Sequence, residues 1–258
     1  MLENEQLLKA VLDKPDDDAP RLAYAEWCKN TDAARSEFIR LQLALAKTNG
    51  NTNEPEVFRL ALKSNNLVKT HGARWAGPLV PPGTSYEFHR GFVELVAVSA
   101  ASFLERAPTL FSRSPIRHID FLEVHGTAPK LFLSPLLAPI RSLNLDRGGL
   151  SDDDMRSLAD CPHLPNLRWL SLAENRIDFF GINLLASSKN FPALKWVNFR
   201  GNLIDPGEQF SSDQGVIADS WLPDEGKRLE QMHGPIRWLH VNAGTTRDLP
   251  PNRFRIGG

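Results

Sequence analysis

The chain has 258 residues, 24% of them charged, and a formal net charge of -1. That length can bury a sizeable core in one or two domains, and the balanced charge argues against a nucleic-acid or membrane binder driven by electrostatics. Two cysteines, Cys28 and Cys161, exclude a disulfide framework and a CxxC metal pair, which suits a reducing cytoplasm. The opening MLENEQLLKAVLDKPDDD lacks a basic stretch followed by an apolar run, so no secretory signal is expected there. Secretion by a route without such a signal stays open. No run of about 18 apolar residues predicts a membrane span.

Residues 1–80 read as a helical domain. Leu7, Leu8, Val11 and Leu12 share one face of a first helix over about 3–13, ended by Pro15 and the acidic run Asp16, Asp17, Asp18. Asp18 is expected to cap a second helix, with Pro20 tolerated in its first turn and Leu22, Ala23, Ala25 and Trp27 supplying its buried positions. TDAAR is a short connector, and a third helix over 34–47 carries Phe38, Ile39, Leu41, Leu43 and Leu45. The polar loop 47–55 leads into a fourth helix with Gly72 as its stop, and AGPLVPPGTS (76–85) reads as a linker.

After the linker the pattern becomes periodic. Apolar triplets recur as Phe92/Leu95/Ala97, Ile116/Ile119/Phe121, Ile140/Leu143/Leu145, Leu167/Leu170/Leu172, Leu194/Val197/Phe199 and Ile236/Leu239/Val241. Their middle members are spaced by 24, 24, 27, 27 and 42 residues. Each triplet alternates, so its apolar residues face a core and the residues between them face out. Asn175 and Asn202 follow two triplets and are expected to turn inward onto backbone groups that the bend leaves without partners. Helices are expected over 99–111, 150–161 (Leu150, Met155, Leu158 and Ala159 inward, Ser151 or Asp152 as cap) and 179–191 (Leu184, Leu185 and Phe191 inward). Asp153 and Asp154 suit a helix N-terminus. One such unit cannot bury its apolar face alone; stacked units share a core.

The pattern L-x-x-L-x-L-x-x-N at this spacing resembles the leucine-rich repeat family, with repeat lengths close to the ribonuclease-inhibitor-like type. The match covers about 86–244, is strongest over 140–204, and weakens where Gly148, Val124 and Ala100 replace the Asn. It implies an α/β fold: a short leucine-rich repeat solenoid, a right-handed βα horseshoe with a parallel sheet of about five or six strands, behind an α-helical N-terminal domain.

A second resemblance lies upstream. DDDAPRLAYAEWCKNTDAARSEFIRLQ is similar to the small helical repeat-companion domain that precedes leucine-rich repeats in many bacterial proteins. The shared residues are Asp16, Asp17, Asp18, Pro20, Arg21, Leu22, Tyr24, Ala25, Trp27, Glu37, Phe38, Ile39, Arg40, Leu41 and Gln42. Glu26 stands for the family's Asp and Ser36 for its Gly, and HRGFVELVAV and SPIRHIDF resemble the continuation seen in that group. The resemblance implies an architecture in which 1–80 caps the solenoid; it carries no activity.

The outward strand positions are the candidate binding surface. The first row reads Glu94, His118, Ser142, Trp169, Trp196, Trp238; the second Val96, Asp120, Asn144, Ser171, Asn198, His240; the third Val98, Leu122, Asp146, Ala173, Arg200, Asn242. Three Trp in one row predict a ladder about 5 Å apart per adjacent strand pair. Exposed Trp is enriched at binding hot spots, so the ladder points to a protein partner gripped by Trp169, Trp196, Trp238, His118, Asp120, Asn144, Asn198, Arg200 and His240. The other reading is that the ladder packs on itself, or under the long insert 205–235, and stabilises the sheet.

The insert is read as a functional loop or as a C-terminal cap containing a helix-like PDEGKRLEQMHG; the tail 245–258 is read as an extended, partly disordered segment or as a peptide motif. No G-x-S-x-G, P-loop or H-E-x-x-H occurs. His118 and Asp120 could face the groove together as a catalytic pair, but Cys28 and Cys161 read as buried core thiols and both DDD runs as helix N-terminal charge. The expectation is therefore a protein-recognition module without cofactor, metal, nucleic-acid or membrane partner. The partner's identity and the oligomeric state stay open. The alternatives are an effector-like or regulatory protein with an unrecognised catalytic site and a structural adaptor in a larger assembly.

Overall fold

A computed structural model describes residues 4–48, 54–77, 85–203 and 224–239. The fold is α/β: N-terminal helices followed by a six-stranded, mostly parallel sheet in the order β1-β2-β3-β4-β5-β6. Two compact units divide the chain, one formed by 1–96 with 107–116, the other by 97–106 with 117–258.

The first unit contains α1 (Glu5–Asp13), α2 (Asp18–Cys28), α3 (Ala33–Ala46) and α4 (Pro55–Ala76), then β1 (Ser85–His89) and most of β2 (Phe92–Val98). Asn4, Asp17 and Asp32 cap the first three helices by accepting N–H bonds from Leu7, Ala19 and Arg35. The cap of α2 is thus Asp17, one residue before the expected Asp18. On α1, Leu8 and Val11 are buried while Leu7 and Leu12 pack half-buried against the same cluster, which Tyr24, Ala25, Cys28, Ile39, Leu43 and Phe92 complete.

Three readings of this region change. On α2 the buried side is Arg21, Tyr24, Ala25 and Cys28, whereas Leu22 is largely exposed. The helix is rotated from its hydrophobic reading because Arg21 has a buried partner: Nη2 donates to Glu94 Oε1 (2.6 Å) and to Pro15 O (2.8 Å), and Nη1 to Arg90 O (3.0 Å). Second, α4 runs through Gly72 to Gly77, whose φ of +57° ends it. Gly72 is an interior close-contact residue, since a Cβ there would lie 3.1 Å from Val68 Cγ1. Third, β1 and most of β2, though members of the six-stranded sheet, fall in the same compact unit as the helices. Their two-residue connection, Arg90–Gly91, has φ of +51° and +89°, the backbone of a tight hairpin turn, which joins neighbouring strands only antiparallel. Gly91 cannot be replaced cheaply, because a Cβ would stand 2.7 Å from Ile39 Cγ1. Arg90 tolerates its unfavourable φ with its guanidinium held by Pro15 O, Asp16 O and the Asp18 carboxylate. The acidic turn 16–18 is therefore both a helix start and a clamp on the hairpin.

The second unit repeats one theme. β3 (His118–Phe121), β4 (Ser142–Asn144), β5 (Trp169–Ser171) and β6 (Trp196–Asn198) are parallel and in step: Ile119 pairs with Leu143, Leu143 with Leu170, and Leu170 with Val197. The middle members of four sequence triplets thus stand side by side. Inward residues Ile119, Phe121, Leu143, Leu145, Leu170, Leu172, Val197 and Phe199 are all buried. Between strands lie α5 (Ala100–Arg113, which crosses both units), α6 (Ala128–Phe132), α7 (Asp152–Ala159) and α8 (Phe179–Ser187). Ser151, one of the two expected caps, caps α7, and with Asp154 it forms a capping box. On α8 the buried residues are Gly181, Ile182 and Leu185, with Leu184 half-buried and Phe191 buried beyond the helix.

The asparagines do what their position demands. Asn175 Nδ2 donates to the carbonyls of Leu145, Leu172 and Ala173, and its Oδ1 accepts from Leu150 N–H. Asn202 does the same one repeat later, with Leu172 O, Phe199 O and Ile177 N–H. Each side chain therefore ties its own bend to the preceding one. Positive φ recurs at Arg147, Glu174 and Gly201, 27 residues apart, so the sharp turn after the strand also repeats.

The last expected strand is absent from the described residues. Arg237–Leu239 is a 3-10 turn, with Leu239 buried and Trp238 half-buried against Phe199 at a ring separation of 6.0 Å. The helix-like stretch of the insert is α9 (Asp224–His233), which packs on α8: the Arg228 guanidinium lies 4.6 Å from the Phe179 ring and His233 Nε2 meets Asn183 Oδ1 at 2.8 Å. Residues 205–223, His240, Val241, Asn242 and the tail 245–258 lie outside the described residues.

Candidate interaction face

The register brings the outward rows together. His118 stands opposite Ser142, Ser142 opposite Trp169, and Trp169 opposite Trp196, each on adjacent parallel strands. The second row runs Asp120, Asn144, Ser171, Asn198 in the same way. Alternation along four short strands produced this geometry, since the residues between inward leucines must point the other way.

Exposure departs from expectation. Trp169 and Trp196 retain only 6% and 8% of their accessible surface, so they are not an open ladder. Trp238 is not a third rung, because it sits in a 3-10 turn and packs on inward-facing Phe199. His118 is buried, with its ring 6.5 Å from that of Trp169 and Nδ1 2.6 Å from Ser142 Oγ. A histidine beside a serine hydroxyl could serve nucleophilic chemistry, but Ser142 is wholly buried, so the contact braces β3 against β4. Glu94, the first member of the same row, is buried with Arg21.

The second row is partly open. Asp120 and Asn144 are half-buried, whereas Ser171 and Asn198 are buried. Asn144 Oδ1 accepts from Asp146 N–H (2.8 Å) and Asn198 Oδ1 from Arg200 N–H (3.0 Å), so both asparagines shape the turn that follows their strand. Asn198 Nδ2 also donates to Ser171 Oγ (3.0 Å). Arg200 is exposed.

Two residues of the third outward row, Asp146 and Leu122, were not among those expected to grip a partner. Asp146 is half-buried and its Oδ1 accepts from Ala173 N–H at 2.7 Å. Burial raises its proton affinity and the negative charges of Asp120 and Glu174 raise it further, outweighing the opposing bonds from Ser171 and Ala173. Leu122 is 52% exposed at the equivalent third-row position of β3's repeat. The sequence reading placed both in the third outward row; residue type alone did not single them out as contacts.

Elsewhere, burial raises the Cys161 thiol and pushes Cys28 up to about 11, as fits inert core thiols. Among the described residues no group of three or more His, Cys, Asp or Glu could hold a metal ion, and no helix is long and apolar enough to cross a membrane. Comparison of the chain with protein-family models, with curated proteins and with solved structures returns no match.

Proposed function

We propose that this chain is a bacterial leucine-rich repeat protein of the cytoplasm, with a helical companion domain at its N-terminus, and that it recognises a protein partner through the outward side of its parallel strands. The observation that carries the reading is the shared register of the outward rows, which sets side chains from four successive repeats on one surface. The repeated Asn bonds and the 27-residue recurrence of the turn support the family assignment. Partner contact begins at the accessible residues, Asp120 and Asn144 at one end and Arg200 at the other, with Trp169 and Trp196 as the floor between them. A double variant, Asp120→Lys with Arg200→Glu, tests it by affinity purification from native lysate, with folding checked by circular dichroism. A protein identified on the wild type and lost on the folded variant supports the assignment. The same protein retained on the folded variant moves recognition away from this surface.

A further inference from the structure

One residue before each of β3, β4, β5 and β6 stands a cation: Arg117, Arg141, Arg168 and Lys195, spaced by 24, 27 and 27 residues. All four belong to the second unit. Their backbones are stacked in register. The Arg117 carbonyl accepts the N–H groups of Arg141 and Ser142 at 2.8 and 3.2 Å. The Arg141 carbonyl accepts those of Arg168 and Trp169 at 2.8 and 3.1 Å, and the Arg168 carbonyl those of Lys195 and Trp196 at 2.9 and 3.1 Å. Neighbouring cations are therefore one strand spacing apart, about 4.8 Å, and the four span about 14 Å along the edge where the strands begin. Each side chain is half-buried and already makes a polar or ring contact within the chain, so ordering it on a partner costs little side-chain entropy. The half-buried carboxylates Asp120 and Asp146 come three and five residues after Arg117 and Arg141, roughly 10 Å or more along the strand direction. The surface is thus segregated by charge, with cations where the strands start and carboxylates farther along β3 and β4. A chain of net charge -1 has no general excess of cations that would produce such a column by composition alone.

We propose that the partner recognised by this surface presents an extended acidic peptide segment to Arg117, Arg141, Arg168 and Lys195, running across the strands along the edge where they begin. The inference rests on the recognition reading above and adds the partner's chemistry and direction to it. In an extended chain, side chains on one side recur about every 6.8 Å, so five residues with Asp or Glu at alternate positions cover the column. Stacked like charges repel one another, and a row of carboxylates relieves that repulsion while steering the encounter. The nearby Asp120 and Asp146 repel the same segment, which confines it to the starting edge. Their presence, with the balanced net charge, also denies the surface the broad positive field of nucleic-acid binders and favours a peptide over a phosphate backbone.

The test titrates the full chain into a fluorescein-labelled nonapeptide of alternating glutamate and alanine, read by fluorescence anisotropy at low salt. The expected result is saturable binding that disappears when glutamine replaces glutamate and that an oligothymidylate of equal charge does not match. Arg141→Gln with Arg168→Gln, the two middle cations, should weaken binding about tenfold. Arg106→Gln with Arg113→Gln, an equal loss of charge at exposed positions of α5, should change it by less than about twofold. Should the middle pair fail to fold by circular dichroism, Lys195→Gln decides: it should weaken binding about threefold, and Lys195→Arg should keep the wild-type affinity. The proposal is overturned if the folded wild type does not bind the glutamate peptide, if the folded column variants bind as wild type does, or if the α5 pair weakens binding equally. Tighter binding of the oligothymidylate also overturns it and makes the column a phosphate-backbone site. If the glutamate peptide does not bind while Asp120→Lys with Arg200→Glu abolishes partner capture, the acidic segment falls and the recognition reading stands. If the peptide binds through the column while that double variant leaves capture unchanged, the recognition reading falls and the acidic-peptide site stands.

Discussion

The two units solve the same problem, burying polar groups, with different chemistry. In the first, charged side chains make contacts that occur once each: the buried pair Arg21 with Glu94, the partly buried Arg90 with Asp18, and Arg35 with its guanidinium 5.0–5.7 Å from the rings of Phe38, Trp75, Phe88 and Phe92. In the second they are neutral amides, and they recur. Asn175 and Asn202 make the same bonds 27 residues apart. A singular ionic contact specifies one arrangement of helix and hairpin. A repeated amide can be copied, because each unit presents the next with the same set of backbone groups.

The largest expected effect breaks the ionic side of that comparison. Glu94→Ala leaves the Arg21 charge buried and should destabilise the chain by about 3–5 kcal/mol in urea unfolding, with the joint change Arg21→Met and Glu94→Leu recovering much of it. Equal losses for the single and joint changes would mean that shape, not charge, holds α2 to the hairpin. On the amide side, Asn175→Ala strands several backbone groups and should lose about 3 kcal/mol; Asn202→Ala, at a half-buried site, should lose less, about 1–2 kcal/mol. If the order reverses, the ladder is anchored at its C-terminal end rather than its middle.

The turns sharpen the contrast at smaller scale. Gly91→Ala combines positive φ with a Cβ 2.7 Å from Ile39 Cγ1, and should cost about 2–3 kcal/mol. Gly201→Ala has a similar φ, but its nearest contact is the flexible Glu174 side chain at 3.1 Å, with the Glu174 backbone at 3.5 Å, and it should cost about 1 kcal/mol. Thermal unfolding of the two variants should rank them in that order. The smallest effect is a pH dependence. Burial works to raise the Asp32 carboxyl, but bonds from Trp75 Nε1, Arg35 N–H and Arg74 together hold it below its ordinary value. A depressed pKa adds stability that is present above the unfolded value and lost as pH falls through the folded one. Asp32→Asn should therefore lower stability by about 1 kcal/mol near neutrality and flatten the acid limb of a Tm-against-pH curve. An unchanged acid limb would assign that limb to other carboxylates.

Legibility followed repetition. The strands at 119, 143, 170 and 197, Ser151 as one of two candidate caps, and the inward turn of Asn175 and Asn202 all follow from period and residue type. The outward rows were legible for the same reason, down to the pairing of Trp169 with Trp196. Arg21 was not: one charged residue on a helix reads as solvated until its partner, 73 positions away, is brought beside it. Gly72 misled because a glycine's local meaning is a helix stop, while its tertiary meaning here is close packing beside Phe88.

By itself, then, the sequence determined the phase of the strands at 119, 143, 170 and 197 and which of their side chains face in or out, since alternation and hydrophobic spacing are local properties of the backbone. Only the tertiary structure decided how much of the outward side stays open, where β1 and β2 belong, and that Trp238 leaves the row. Burial and ion pairing depend on what chain arrives from elsewhere, and one-dimensional spacing holds no record of it.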